Sequence, residues 1–228
     1  MNASISTATT DKASIATSIA ASIAASIVVL ISGRGSNLRA VVERDLPVRA
    51  VISNVADAAG LAYARERNIP TAVVDHKGYA TREAFDAALA AKIDRYSPTA
   101  VVLAGFMRVL TPAFVECYRE RLINIHPSLL PAFPGLHTHR RALEAGVRVH
   151  GASVHFVTAE LDHGPIILQA AVPVLAEDSE ETLAARVLAQ EHVILPQALG
   201  WFIEGRLAIE HGRVTVAGRA PQWVFARC

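Results

Sequence analysis

Five short runs of apolar, largely β-branched residues, most of them followed by a stretch of helical character, set the fold of this 228-residue chain. They are IVVLIS (27–32), VRAVIS (48–53), TAVV (71–74), TAVVLA (99–104) and LINI (122–125). Strands with one wet face alternate apolar and polar residues. Continuous runs like these belong to parallel strands covered on both faces. The segments 37–44, 57–67 and 81–96 read as helices, with Asp57 placed to cap the second and Thr81 offering the third a partial cap. Repeated β-α-β units predict an α/β fold with a doubly wound, mostly parallel, Rossmann-like sheet.

Beyond residue 147 the pattern changes. VHGASVHFVT (149–158) and PIILQAAVPV (165–174) read as two longer strands, and a helix is expected from Ser179 to about Phe202. Glu180 and Glu181 in its first turn suit the positive end of the helix dipole. LAIEHGRVTV (207–216) resembles a small hairpin, so the chain should end in an antiparallel extension, with 217–228 as a tail. No internal repeat or linker separates a second domain, and 27–216 reads as one unit.

The 22 Lys+Arg and 21 Asp+Glu leave a formal charge of +1, which argues against a dedicated nucleic-acid partner. Residues 1–26 are almost wholly Ser, Ala, Thr and Ile, with no charge between 13 and 33. Ser and Thr dilute this stretch, and Lys12 beside Asp11 is a poor signal flank, so neither a membrane span nor an export signal is expected. Isoleucines at 15, 19 and 23 allow a weak helix, and the segment reads as a disordered or loosely helical leader. Cys117 and Cys228 make no disulfide framework, which suits a reducing, cytoplasmic setting.

Three segments carry chemistry. The first is the turn Ser32-Gly33-Arg34-Gly35-Ser36-Asn37-Leu38, where glycines and a helix start allow the backbone to approach an anion. A dinucleotide fingerprint needs a third glycine where Leu38 stands and an acid at the end of the second strand, which closes on Ser53-Asn54 instead. A phosphate monoester site survives, beside the plainer reading of a tight turn with no ligand. The second segment is Asn124-Ile125-His126 at the carboxyl end of a buried strand. Residues two apart share a face, so an amide donor and an imidazole stand together where ligands bind in open α/β sheets. That pair can stabilise an oxyanion and move a proton. The third is Glu160-Leu161-Asp162-His163-Gly164-Pro165, an ordinary acidic turn unless its carboxylate meets His126, where it would orient the ring and favour its charged form. Six of the nine histidines lie between 126 and 163, yet their spacing matches no metal-binding pattern, and no metal is expected.

With these segments in place, the chain resembles the phosphoribosylglycinamide formyltransferase family. The resemblance rests on IVVLISGRGSNL (27–38), SNVADAAGLAYA (53–64), LAGFMRVL (103–110), NIHPSLLPAFPGLHTHRRALEAG (124–146), HGASVHFVTAELDHGPIILQ (150–169) and QEH (190–192). It implies formyl transfer from 10-formyltetrahydrofolate, a co-substrate, to the amine of glycinamide ribonucleotide in purine synthesis, with no tightly bound cofactor. It also implies that Gly35, Ser36 and Asn37 hold the ribonucleotide phosphate and that Glu191 contacts its ribose. Arg82, Met107, Arg108, Val109 and Leu110, with Asn124 and the loop Thr158, Ala159, Glu160, Leu161 and Asp162, would line the folate pocket. Asn124, His126 and Asp162 match the catalytic trio. Only small-molecule partners follow, and the sequence leaves monomer and homodimer open. Methionyl-tRNA formyltransferase would need a further C-terminal RNA-binding domain. Formyltetrahydrofolate deformylase would need a folded N-terminal regulatory domain, and a non-catalytic nucleotide-binding module leaves the trio without purpose.

Overall fold

In the computed structural model, which describes residues 25–226, one sheet runs through the molecule. Its strands are β1 (Ile27–Ile31), β2 (Val48–Ser53), β3 (Thr71–Val73), β4 (Ala100–Leu103), β5 (Leu122–His126), β6 (Val149–Phe156), β7 (Ile166–Pro173) and β10 (Trp223–Phe225). They lie in the order β10-β7-β6-β5-β4-β1-β2-β3. All pairings are parallel except β5–β6 and β6–β7, so β6 alone runs against the others. β8 (Leu207–Glu210) and β9 (Arg213–Val216) form the separate hairpin expected from the sequence.

The uninterrupted apolar runs have their predicted consequence. All five residues of β1 are wholly buried, about 1.5–3 kcal/mol each for the larger side chains. Ile27, Val29 and Ile31 pack with Leu38 and Val41 of α1 (Ser36–Val42), Leu61 of α2 (Ala59–Glu66) and the apolar side of α6 (Glu180–Ile203). Val28 and Leu30 face the other way, onto Phe85, Leu89 and Ile93 of α3 (Arg82–Asp94) and Phe114 of α4 (Pro112–Cys117). The sheet is therefore covered on both faces, as parallel strands require.

Caps follow the sequence unevenly. Thr81 Oγ1 accepts from the Ala84 N–H at 3.2 Å, and Ser179 and Thr182 form a reciprocal capping box at the start of α6. Asp57 does not cap α2, which begins two residues later behind Ala58 with no side-chain cap. The short helices α4 and α5 (Thr138–Glu144) are additions to the sequence reading.

Both proposed boundaries move. The leader falls largely on residues 1–24, outside the described residues, whereas Ala25 is buried in the core and Ser26 belongs to the domain. The Ser26 backbone N–H donates to Thr99 Oγ1 at 3.0 Å and its hydroxyl to the Ser97 carbonyl at 3.1 Å. The supposed tail contributes β10, because the Gln169 N–H donates to the Gln222 carbonyl and the Ala226 N–H to the Ala171 carbonyl. Among the described residues no helix is long and apolar enough to cross a membrane.

Candidate active site

β2 and β3 lie on one side of β1 and β4 on the other, so the strand order reverses between β1 and β4. In doubly wound sheets a crevice opens there, outside the carboxyl ends of the strands. The glycine turn sits at that point. Gly35 has φ +73°, and a Cβ on it would lie 2.7 Å from the Gly60 Cα. A Cβ on Gly60 would in turn meet Ile31 Cδ1 at 2.5 Å, and the Gly60 N–H donates to the Gly33 carbonyl at 3.1 Å. Gly35 is thus required by backbone packing against the start of α2, a different reason from clearance for an anion. Gly33 is the glycine with open space around its Cβ position.

Of the three residues expected at the phosphate, Ser36 is half-buried beside Gly35, while the Asn37 side chain turns inward. Its Nδ2 donates to Glu191 Oε2 at 2.6 Å, tying α1 to α6. Burial pushes the Glu191 carboxyl up, and the Asn37 hydrogen bond opposes that shift.

The second half of the site is built on β5 and β6. Alternation sends Leu122 into the α3–α4 core, so Asn124 and His126 share that face. His155 stands opposite Asn124, and Ser153 opposite His126. His155 Nδ1 lies 2.9 Å from the Phe156 carbonyl, so it carries the proton and Nε2 is left to accept from Asn124 Nδ2 at 3.2 Å. Burial pushes the His155 pKa down, while the Phe156 carbonyl and Asp162 oppose that shift. The buried Ser153 hydroxyl donates to the Ser128 carbonyl at 2.7 Å. It accepts from the Leu130 N–H at 3.0 Å and from Gln169 Nε2 at 2.8 Å. This network ties the 127–137 loop to the sheet.

Asp162 arrives from an unexpected direction. The Val157 N–H bonds to the Leu122 carbonyl at 2.8 Å, at the start of β5, yet Asp162 reaches His126 at the strand's far end. The loop therefore folds back across the face. Asp162 Oδ2 lies 3.5 Å from His126 Nδ1 and accepts from the Gly135 N–H at 2.8 Å, while Oδ1 is 3.9 Å from His155 Nε2. His126 Nε2 stands 3.1 Å from the Phe133 carbonyl, so both ring nitrogens face oxygen acceptors. Phe133, His137 and Asp162 have φ of 53°, 56° and 53°. Such left-handed non-glycine residues cost about 1–3 kcal/mol each and tend to cluster at functional sites.

The rim carries the residues expected to line a folate pocket. Met107 and Val109 are 67% and 58% exposed and Leu161 is 56% exposed, an unusual set of apolar side chains in water. Arg108, Thr158, Ala159 and Glu160 are also exposed, Leu110 is half-buried, and Arg82 is exposed at the first position of α3. The structure brings His126 and Asp162 together directly, links Asn124 to them through His155, and joins Asn37 to Glu191. It adds His155, Ser153, Gly60 and Gly135, which the sequence reading missed. His155 and Ser153 had a usable signal, being two apart in a predicted strand. Gly60 had none.

Known proteins resemble the chain in sequence and in fold. Residues 25–199 match the formyl transferase family. The chain is 54% identical to phosphoribosylglycinamide formyltransferase of Escherichia coli K12, over 87% of this chain and 97% of that protein. The enzyme of the same name from Haemophilus influenzae is 43% identical, over 84% and 93%. The crystal structure of phosphoribosylglycinamide formyltransferase from Anaplasma phagocytophilum superposes with a TM-score of 0.84 at 40% identity, covering 89% of this chain and 99% of that one. The chain belongs to the formyl transferase family.

Proposed function

We propose that the chain transfers the formyl group of 10-formyltetrahydrofolate to the amine of glycinamide ribonucleotide; its relatives are named as phosphoribosylglycinamide formyltransferases. The observation that carries this reading is the approach of Asp162 to His126 at the carboxyl end of β5, with Asn124 on the same face of the strand. Attack of the substrate amine on the formyl carbon forms a C–N bond and a tetrahedral oxyanion. The Asn124 amide donates to that oxygen, and so does the His126 Nε2–H once the substrate draws it from the Phe133 carbonyl. The C–N bond to the folate then breaks, and the amine's proton ends on the departing folate nitrogen. Asp162 holds the imidazole in register from the side opposite Phe133. One oxyanion donor of this kind is worth about 2.7–4 kcal/mol of barrier.

The ribonucleotide phosphate fits the backbone of the turn around Gly33, Gly35 and Ser36, and Glu191 keeps Oε1 for a ribose hydroxyl while Oε2 receives Asn37. The folate is taken by the 107–110 and 158–162 segments, exposed except at Leu110 and Asp162, with Arg82 near its acidic end. Mixing the protein with 10-formyltetrahydrofolate, with and without glycinamide ribonucleotide, tests the assignment. Donor consumption that depends on the ribonucleotide is expected. Consumption with water alone identifies a hydrolase, and none identifies a binding module.

A further inference from the structure

The second strand ends in Ser53-Asn54, where a dinucleotide-binding sheet carries an acid, and the proposed chemistry leaves Asn54 unused. Asn54 is 4% exposed, and its side chain bridges the segments that follow β1 and β3, just beyond the carboxyl ends of strands the sheet already pairs. The Ser32 hydroxyl donates to Asn54 Oδ1 at 2.6 Å. With its proton committed there, Ser32 Oγ accepts from the Met107 N–H at 2.8 Å. Asn54 Nδ2 reaches His76 Nδ1 at 3.2 Å, and the Ser32 N–H donates to the Gly105 carbonyl at 3.1 Å.

We propose that Ser32 and Asn54 are positioning residues, a polar strut that fixes the 107–110 segment against the glycine turn and so sets the spacing of the two substrates. The inference rests on the transfer reading above and deepens it. Residues 106–110 have no regular structure. Side-chain acceptors pin their backbone at two points, Met107 N–H on Ser32 and Thr111 N–H on Asp86 at 2.6 Å. Between those pins stand the exposed Met107, Arg108 and Val109. Ser32 is also the first residue of the turn, so one hydroxyl touches both half-sites. An amide suits position 54 better than an acid does. It accepts from Ser32 equally well without setting a negative charge beside a turn proposed to hold a phosphate.

The test uses Ser32→Ala, Asn54→Ala, their double variant and Ser32→Thr, with amide exchange and steady-state kinetics as readouts. Removing one hydrogen bond of this kind corresponds to about a fivefold effect. Both single variants should speed exchange of the Met107 amide and raise the KM for 10-formyltetrahydrofolate by about fivefold. The ribonucleotide KM should change less than twofold. The double variant should fall within about twofold of either single one, because the two side chains act as one unit. Ser32→Thr keeps the hydroxyl and should behave as the parent. Unchanged Met107 exchange, equal losses for both substrates, multiplicative effects in the double variant, or a threonine variant that behaves like alanine would each overturn the strut. Absence of formyl transfer in the parent protein would instead sink the functional reading, and the exchange experiment would still judge the strut.

Discussion

The two halves of the site are held by different means. The turn at the end of β1 is set by backbone against backbone, with Gly35 on Gly60 and the Gly60 N–H on the Gly33 carbonyl. The face of β5 and β6 is set by buried side chains: Asn124 on His155, His126 on Asp162, and Ser153 on Ser128 and Leu130. At Gly35 the first arrangement cannot absorb a Cβ, since the atom it would meet belongs to the Gly60 backbone. The second can lose a functional group and keep its shape. Damage to the first half should therefore appear as lost stability, and damage to the second as lost chemistry in a folded protein.

The largest expected effect lies in the second half. His126→Ala should lower turnover by about 10²–10⁴-fold, the range for a positioned acid–base group, and leave ribonucleotide affinity and melting temperature nearly unchanged. Asp162→Asn should also lower turnover strongly, and the double variant should cost far less than the product of the two losses. Steady-state kinetics with parallel melting curves decide this. A melting temperature that falls as far as that of a glycine-turn variant would erase the contrast between the halves.

Next in size is Gly35→Val. A β-branched residue at φ +73°, with its Cβ driven into the Gly60 backbone, should lower stability by about 3 kcal/mol or more. That amounts to a fall of about 6–12 °C in Tm. Gly33→Ala, with open space around its Cβ position, should melt near the parent. If the two glycine variants melt together, backbone packing is not what holds the turn.

A smaller effect concerns acid. His150 is buried against the rings of His139 and Phe133, and burial, aided by His139, lowers its pKa to about 4. Burial lowers the His139 pKa as well. A histidine with a depressed folded pKa contributes stability above its unfolded value, near 6.5. That contribution is lost as pH falls from there toward about 4. His150→Phe should therefore flatten the melting temperature against pH across that window. An unchanged slope would place the acid sensitivity elsewhere.

The smallest effect tests the link between α1 and α6. The Glu191 carboxyl is raised by burial, so the folded state favours its protonated form, and stability falls as pH rises through its folded value. Glu191→Gln should abolish that loss, giving equal or slightly higher stability at pH 8 together with weaker ribonucleotide binding. A variant that melts lower at pH 8 would mean the charged carboxylate stabilises the fold through Asn37.

The elements the sequence displayed were those in which one residue's neighbours along the chain determine its environment. β1 to β5 are continuous apolar runs because both sheet faces are covered, and Asn124 and His126 share a face because the strand period is two. What stayed hidden depends on partners far along the chain. Asn37 meets Glu191 across 154 residues, and Gly35 needs Gly60, which looks like any glycine near a helix start. β10 was hidden because three residues with two exposed aromatics show no apolar run, and only pairing with β7 makes them a strand. Asp57 misled because a residue of good capping type stood one position too early for a helix whose start is fixed by Gly60 packing.

The strand order has a consequence for how the chain is made. β2 pairs with β1, and β3 then adds to β2. β4 takes the free side of β1, and β5, β6, β7 and β10 follow outward in turn. Every strand therefore joins an edge already present as it leaves the ribosome, and none must be inserted between two earlier partners. Growth by addition avoids reopening paired strands, the slow and aggregation-exposed step of a non-local sheet. It also sets a schedule. The glycine turn and its Gly60 buttress emerge early, whereas Glu191, which claims Asn37, emerges after seven of the sheet's eight strands. The nascent chain thus shapes the glycine turn first and ties it down only after β7 has emerged.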